Sequence, residues 1–363
     1  MNAAPATSAG PATPGATASP GAPASSAIDR GRRARRTRRV AVSATLALLA
    51  VALFALTLMI GDAWASPAEV LRVLAGETVP GVSFTVGELR LPRAILGLLA
   101  GFAFGAAGVT FQTMLRNPLA SPDIIGISAG ASAAAVFGIV VLSASGLVLS
   151  SLALAGAILT TLVIAMLAQN RGFSTMRLVL IGIGVAALLQ SAISYLISKA
   201  GEWDLQTAMQ WMTGSLNGAS WEKILPLVGA LLVCAPLLLA NGRGLDLLRL
   251  GDDAAVALGV RVGRVRILAV IAAVGLLAFA TAGSGPIAFV AFMAGPIAAR
   301  LVGPGSRLTI PAGLVGACLV LGADLIGQNL FDHRYPVGVV TGVLGAPYLV
   351  LLLIRMNRSG GSL

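Results

Sequence analysis

Seven arginines fall between residues 30 and 39, and the twenty-one residues that follow, Val40 to Ile60, carry no charged side chain. This boundary constrains the fold more than any other stretch. An apolar run of about 20 residues matches the hydrocarbon thickness of a bilayer when it is helical, and a basic cluster beside a first span holds that side in the cytoplasm. Further apolar runs follow down the chain, separated by short polar interruptions. The composition is 57% hydrophobic and 11% charged, against about 25% charged in soluble domains. The fold class expected is an all-α polytopic membrane protein, because the alternation that a membrane barrel needs is absent. The net charge of +11 does not indicate nucleic acid, since 23 of the 25 basic residues are arginines gathered at the ends of apolar runs, where topology accounts for them.

Three regions follow from this pattern. Residues 1–39 read as a disordered cytoplasmic tail, uncharged and rich in Ala, Pro, Ser, Thr and Gly through residue 28 and ending in the arginine run; so little apolar surface cannot offset the entropy of ordering. Residues 40–357 read as the ten-span membrane domain and 358–363 as a short cytoplasmic tail. The spans are expected at about 40–60, 94–114, from near Ile124, 148–168, 178–198, 222–240, 267–283, 286–302, 309–328 and 337–354. A cleaved signal peptide is the rival for the first, given Ala63-Trp64-Ala65, but the apolar run exceeds the roughly 7–15 residues of such a segment. With about ten spans both termini are cytoplasmic, and 19 basic residues lie inside against six outside, the asymmetry expected of a multi-pass cell-membrane protein.

The stretch from Arg243 to Arg266 is the longest polar interruption after the tail. Gly251 breaks the chain, Asp252 suits an N-cap with Asp253 in the first turn, and Gly259 suits a stop after Leu258. A short cytoplasmic helix between spans six and seven is therefore expected, with Ala254, Ala257 and Leu258 on one face. Such a helix fits a lever pushed by a soluble partner, and equally a surface connector.

Little on this chain could perform covalent chemistry. It has no Walker A sequence, and its two lysines, Lys199 and Lys223, fall on the outer side, so any ATP is handled by another subunit. His333 is the sole histidine and suits a solvated loop, which leaves no histidine pair for a metal. Cys234 and Cys318 both fall within spans, where neither a disulfide nor a metal site is expected. Asp324 is the one acid inside a span, a functional candidate by default, or else a hydrogen-bond partner for a neighbouring helix near the outer surface. A proton- or sodium-coupled secondary transporter usually needs more intramembrane polar groups than this.

Five ordered motifs, LRLPRAILGLLAGFAFGAAGVTFQTMLRNPLASPDIIGISAGAS (89–132), WMTGSL (211–216), LGDDAAVALGV (250–260), GPIAFV (285–290) and the stretch 335–354 beginning YPVGVVTGVLGAPYLV, resemble the permease family of bacterial ABC importers for iron-siderophore, haem and vitamin B12. The resemblance covers residues 40–357. It implies ten helices per subunit, a central path between two permease subunits, and a coupling helix, Asp252 to Leu258 with Gly259 after it, docked on a soluble ATPase dimer that holds ATP and Mg. It further implies an extracytoplasmic binding protein received by Arg90, Arg93 and Arg334, residues that lipid headgroups would also suit. Ser174 and Thr175 align with the family's cytoplasmic gate, although small polar residues also suit a turn. Many members carry a Pro-His pair and then an Arg where this chain has Gly295-Pro296 and Arg300, and an Arg four residues after the intramembrane Asp where this chain has Gln328. ADLIGQ with YPVGVVTGVLG looks like a permease of ferric enterobactin-type systems, which implies a heterodimer with a sister permease and a catecholate cargo. Hydroxamate, haem or vitamin B12 cargo, a secondary transporter and a scaffold subunit are the alternatives.

Overall fold

The computed structural model describes residues 24–61, 63–121, 126–168, 175–303, 305 and 307–358. The protein is an all-α polytopic membrane protein. Among the described residues, eight helices are long and apolar enough to cross a bilayer: α1 (Ala24–Met59), α3 (Leu91–Leu115), α5 (Gly146–Ala168), α6 (Thr175–Lys199), α8 (Trp221–Leu248), α10 (Val262–Ser284), α12 (Thr309–Asn329) and α13 (Val337–Arg358). Two shorter apolar helices, α4 (Ile127–Leu142) and α11 (Val290–Val302), stand where spans three and eight are expected. The short helices α2 (Pro67–Leu74), α7 (Glu202–Thr213) and α9 (Asp252–Ala257) connect them.

The bundle is organised around α3, whose most apolar stretch is 78% buried, against 11% for α6. Its Gly- and Ala-rich sequence is the cause. Small residues let helix backbones approach closely, and a Cβ added at Gly101 would stand 2.6 Å from the Gly316 carbonyl of α12. α10, α11 and α8 pack on its other sides. Phe104 and Phe111 of α3 are fully buried in the main core, together with Leu276 and Leu277 of α10. A π-helical turn, Thr85–Arg90, leads directly into α3.

Three boundaries differ from the sequence expectation. α1 begins at Ala24, so residues 24–39 continue the first span as helix where a disordered tail is expected; arginine is a good helix former, and the span supplies the nucleus. α8 runs to Leu248, through what reads as the start of a loop. Its polar residues lie among buried Gly242, Leu245 and Leu248, a helical spacing, and Asn241 donates its side-chain amide to the Val265 carbonyl at 2.7 Å. α10 likewise starts at Val262, before residue 267. The polar interruption between the two helices thus shrinks to α9 and its two flanking turns.

Candidate functional site

α9 is short enough that its ends decide its stability. Gly251 occupies the N-cap with φ +110, and Asp252 is the first helical residue and not the cap. Its carboxylate turns away from the helix, accepting from Arg116 at the end of α3 and from Arg266 of α10, the latter at 2.9 Å. The C-terminus closes as a Schellman motif: the Gly259 N–H donates to the Val256 carbonyl and the Val260 N–H to the Ala255 carbonyl, both at 2.9 Å. Gly259 takes φ +82, a conformation that suits glycine.

One side of α9 faces the protein. Ala255 is fully buried among Leu245, Leu248 and Ala269. Asp253, Val256, Ala257 and Leu258 are exposed and Ala254 half-buried, with Val256 60% and Leu258 59% accessible. Val256 points to a different side of the helix from Ala254, Ala257 and Leu258. Arg116, in the left-handed region with φ 51, ties this helix to the spine. It donates through Nε to the Leu248 carbonyl at 2.7 Å while another nitrogen reaches Asp252. Asp252 thereby links α9 to both α3 and α10.

The opposite end of the bundle is held differently. Arg93 meets Asp324 of α12 in a bidentate pair, with Nε to Oδ2 at 2.8 Å and Nη2 to Oδ1 at 2.7 Å, and its third nitrogen donates to Asn217 at 2.7 Å. The Asp324 side chain is 2% accessible. Asp324 thus has a basic partner, which sequence reading missed because Arg93 stands just ahead of the expected second span while α3 already begins at Leu91. Arg90 is buried and donates to the carbonyls of Leu58, Met59 and Ala63, closing the end of α1. It is committed to the fold, not presented to a partner. Arg334 and His333 lie exposed in the loop between α12 and α13, and Gln328 donates to the Tyr335 carbonyl at 3.4 Å.

The WMTGSL segment joins three elements at this end. The Ser215 N–H donates to the Ser284 carbonyl of α10 at 2.8 Å, and the Gly338 N–H of α13 donates to the Gly214 carbonyl at 3.1 Å.

Residues 48–355 match the model of the FecCD transport family. The chain belongs to the FecCD transport family. Among curated relatives of this FecCD protein, the ferric enterobactin transport system permease protein FepG of Escherichia coli (strain K12) is 42% identical over 294 residues, covering 80% of this chain and 88% of that one. The achromobactin transport system permease protein CbrC of Dickeya dadantii (strain 3937) is 41% identical, covering 86% and 90%. Among solved structures, an inward-facing metal-chelate type ABC transporter superposes with a TM-score of 0.77 at 27% identity, covering 86% of this FecCD chain and 99% of the other.

Of the remaining expected site residues, Ser174 lies outside the described residues, and Thr175 is described only by its backbone at the start of α6.

Proposed function

We propose that this FecCD chain is the permease subunit of an ATP-driven importer that carries an iron(III)-siderophore complex of catecholate type from the outer face into the cytoplasm by alternating access. The observation that carries the reading is α9. It presents exposed Val256 and Leu258 outward while Asp252 is tied to α3 and α10, the arrangement a lever needs if a soluble ATPase is to move membrane helices. Similarity to FepG and CbrC, whose names specify ferric enterobactin and achromobactin, supports the cargo class. ATP and Mg belong to that ATPase dimer, and this subunit makes and breaks no covalent bond.

A second permease subunit completes the path. α6 exposes Gln190, Ser191 and Ser194 beside Ile183, Leu188 and Tyr195. Polar groups on a span suit a partner helix or an aqueous path better than lipid. A sister chain makes this a heterodimer, with Ser174 and Thr175 at its cytoplasmic gate. On the outer face Arg334 and the exposed nitrogen of Arg93 receive acidic residues of the binding protein. Arg90 drops out of that surface.

The test is reconstitution of the chain with its co-purified permease and ATPase in vesicles, measuring uptake of a ferric catecholate and of a ferric hydroxamate. ATP-dependent uptake with catecholate preferred is expected. Uptake that persists with an inactive ATPase would support a secondary transporter instead, and transport by the sister permease alone would make this chain a scaffold.

A further inference from the structure

α11 carries a proline in its interior, Pro296. A proline has no N–H, so the carbonyl four residues back loses its helical donor; here that carbonyl belongs to Phe292. It does not go unsatisfied. Gln112, in the last turn of α3 and 6% accessible, donates its side-chain amide to the Phe292 oxygen at 2.9 Å. Gly295 makes the approach possible, because a Cβ there would overlap the Gln112 side-chain oxygen and stand 3.0 Å from its Cδ. The two halves of α11 also pack in different surroundings. Phe292 and Met293 lie with Leu352 of α13, whereas Ala298 and Val302 lie with Leu46 of α1 and Val315 of α12. Arg38 of α1 donates to the Leu301 carbonyl at 3.1 Å, near the end of the second half.

We propose that Gln112 is a positioning residue: its amide stands in for the N–H that Pro296 lacks, so that the end of α3, and not α11's own backbone ladder, sets the bend between the two halves of α11. Helices bend at an interior proline, and in a membrane protein a neighbouring helix can re-satisfy the group the proline frees. A buried carbonyl left unpaired costs free energy, so opening this one bond loosens the register of the two halves. Arg116 stands four residues on and holds the Leu248 carbonyl of α8 and Asp252 of α9. The end of α3 thus fixes α8, α9 and α11 together, and its displacement reaches the break in α11 through a single side-chain bond. This clasp depends on neither the cargo nor the ATPase.

The test is hydrogen exchange read by mass spectrometry, together with thermal melting, on the full purified chain in detergent, for Gln112→Met, Pro296→Ala and the two combined. Methionine keeps the unbranched shape and loses the donor. Gln112→Met alone should quicken exchange of the amides of residues 297–302 roughly tenfold and lower the melting temperature by about 2–4 °C. Pro296→Ala restores a backbone N–H to the Phe292 carbonyl, so adding Gln112→Met to that chain should change exchange by less than about twofold and leave the melt where it is. Should Gln112→Met alone fail to accumulate, the combined variant should recover folded chain. Equal losses in both backgrounds would make Gln112 a space-filler and overturn the proposal. So would an unchanged chain with Gln112→Met alone, failure of the combined variant to recover, or exchange quickened as much in α3 as in α11.

Discussion

At the end of the bundle away from α9, Arg93 and Asp324 form a bidentate pair with the carboxylate 2% accessible, whereas at the α9 end Asp252 is shared between Arg116 and Arg266 with its side chain 42% accessible. Both ends join α3 to a neighbour through an arginine and an aspartate. They differ in how dry the pair is, and that difference separates a fixed joint from a movable one. A desolvated bidentate pair leaves an uncompensated charge when broken; a hydrated one can open, rotate and re-form at little cost. The Arg93 joint therefore holds α3 and α12 in register, while the α9 joint is the one able to yield.

The largest effect that would break this contrast lies at the dry joint. Asp324→Ala leaves Arg93 without its partner inside the bundle and should destabilise the chain by about 3 kcal/mol, the low end for breaking a buried pair because Arg93 keeps some access to water. A thermal melt in detergent checks this, and a shift no larger than that of an exposed variant would remove the distinction between the ends. At the hydrated joint Asp252→Asn should cost no more than about 1 kcal/mol while loosening α9, read as faster amide exchange at Val256 and Leu258 with little change in melting. Equal destabilisation by the two variants would again erase the contrast.

The smallest effect sharpens it from a third place. Glu69 in α2 accepts from the Ser66 N–H and hydroxyl, both at 2.8 Å, and these hydrogen bonds, the backbone one first, hold its carboxyl below the usual 4.5. A depressed folded value means that the capping box is fully formed above the ordinary glutamate range and lost as pH falls through the folded value. Amide exchange in α2 should therefore quicken on acidification. Ser66→Ala should abolish that pH dependence.

Much of this was legible in the sequence. Uncharged runs of span length marked the membrane helices because a bilayer tolerates little else, and Gly251 and Gly259 bracketed α9 because only particular backbone geometries end so short a helix. What the chain order hid was pairing across distance. Arg93 and Asp324 stand far apart in sequence, so the dry joint emerges only once α3 and α12 pack. Arg90 and Arg93 read alike in LRLPR, yet one closes α1 and the other holds α12. Asp252 suited a cap by residue type, but Arg116 and Arg266 compete for its carboxylate and prevail, since charge-assisted bonds exceed a single cap. The arginine run read as a tail because the region before it is uncharged and low in complexity; its helical state comes from the span it continues.

The central claim is that α9 receives an ATPase and passes its motion to α3, and Leu258 tests it most directly. The measurement is ATPase co-purification together with ATP-dependent uptake in reconstituted vesicles for Leu258→Ala and Leu258→Asp. Truncating a well-seated aliphatic anchor removes on the order of 2 kcal/mol, so Leu258→Ala should weaken association roughly thirtyfold. Leu258→Asp, with a charge in a dry contact, should abolish association and uptake while membrane insertion and the melt remain normal, because Leu258 is exposed in the isolated chain. Full association and normal uptake with Leu258→Asp would contradict the lever and leave α9 a connector.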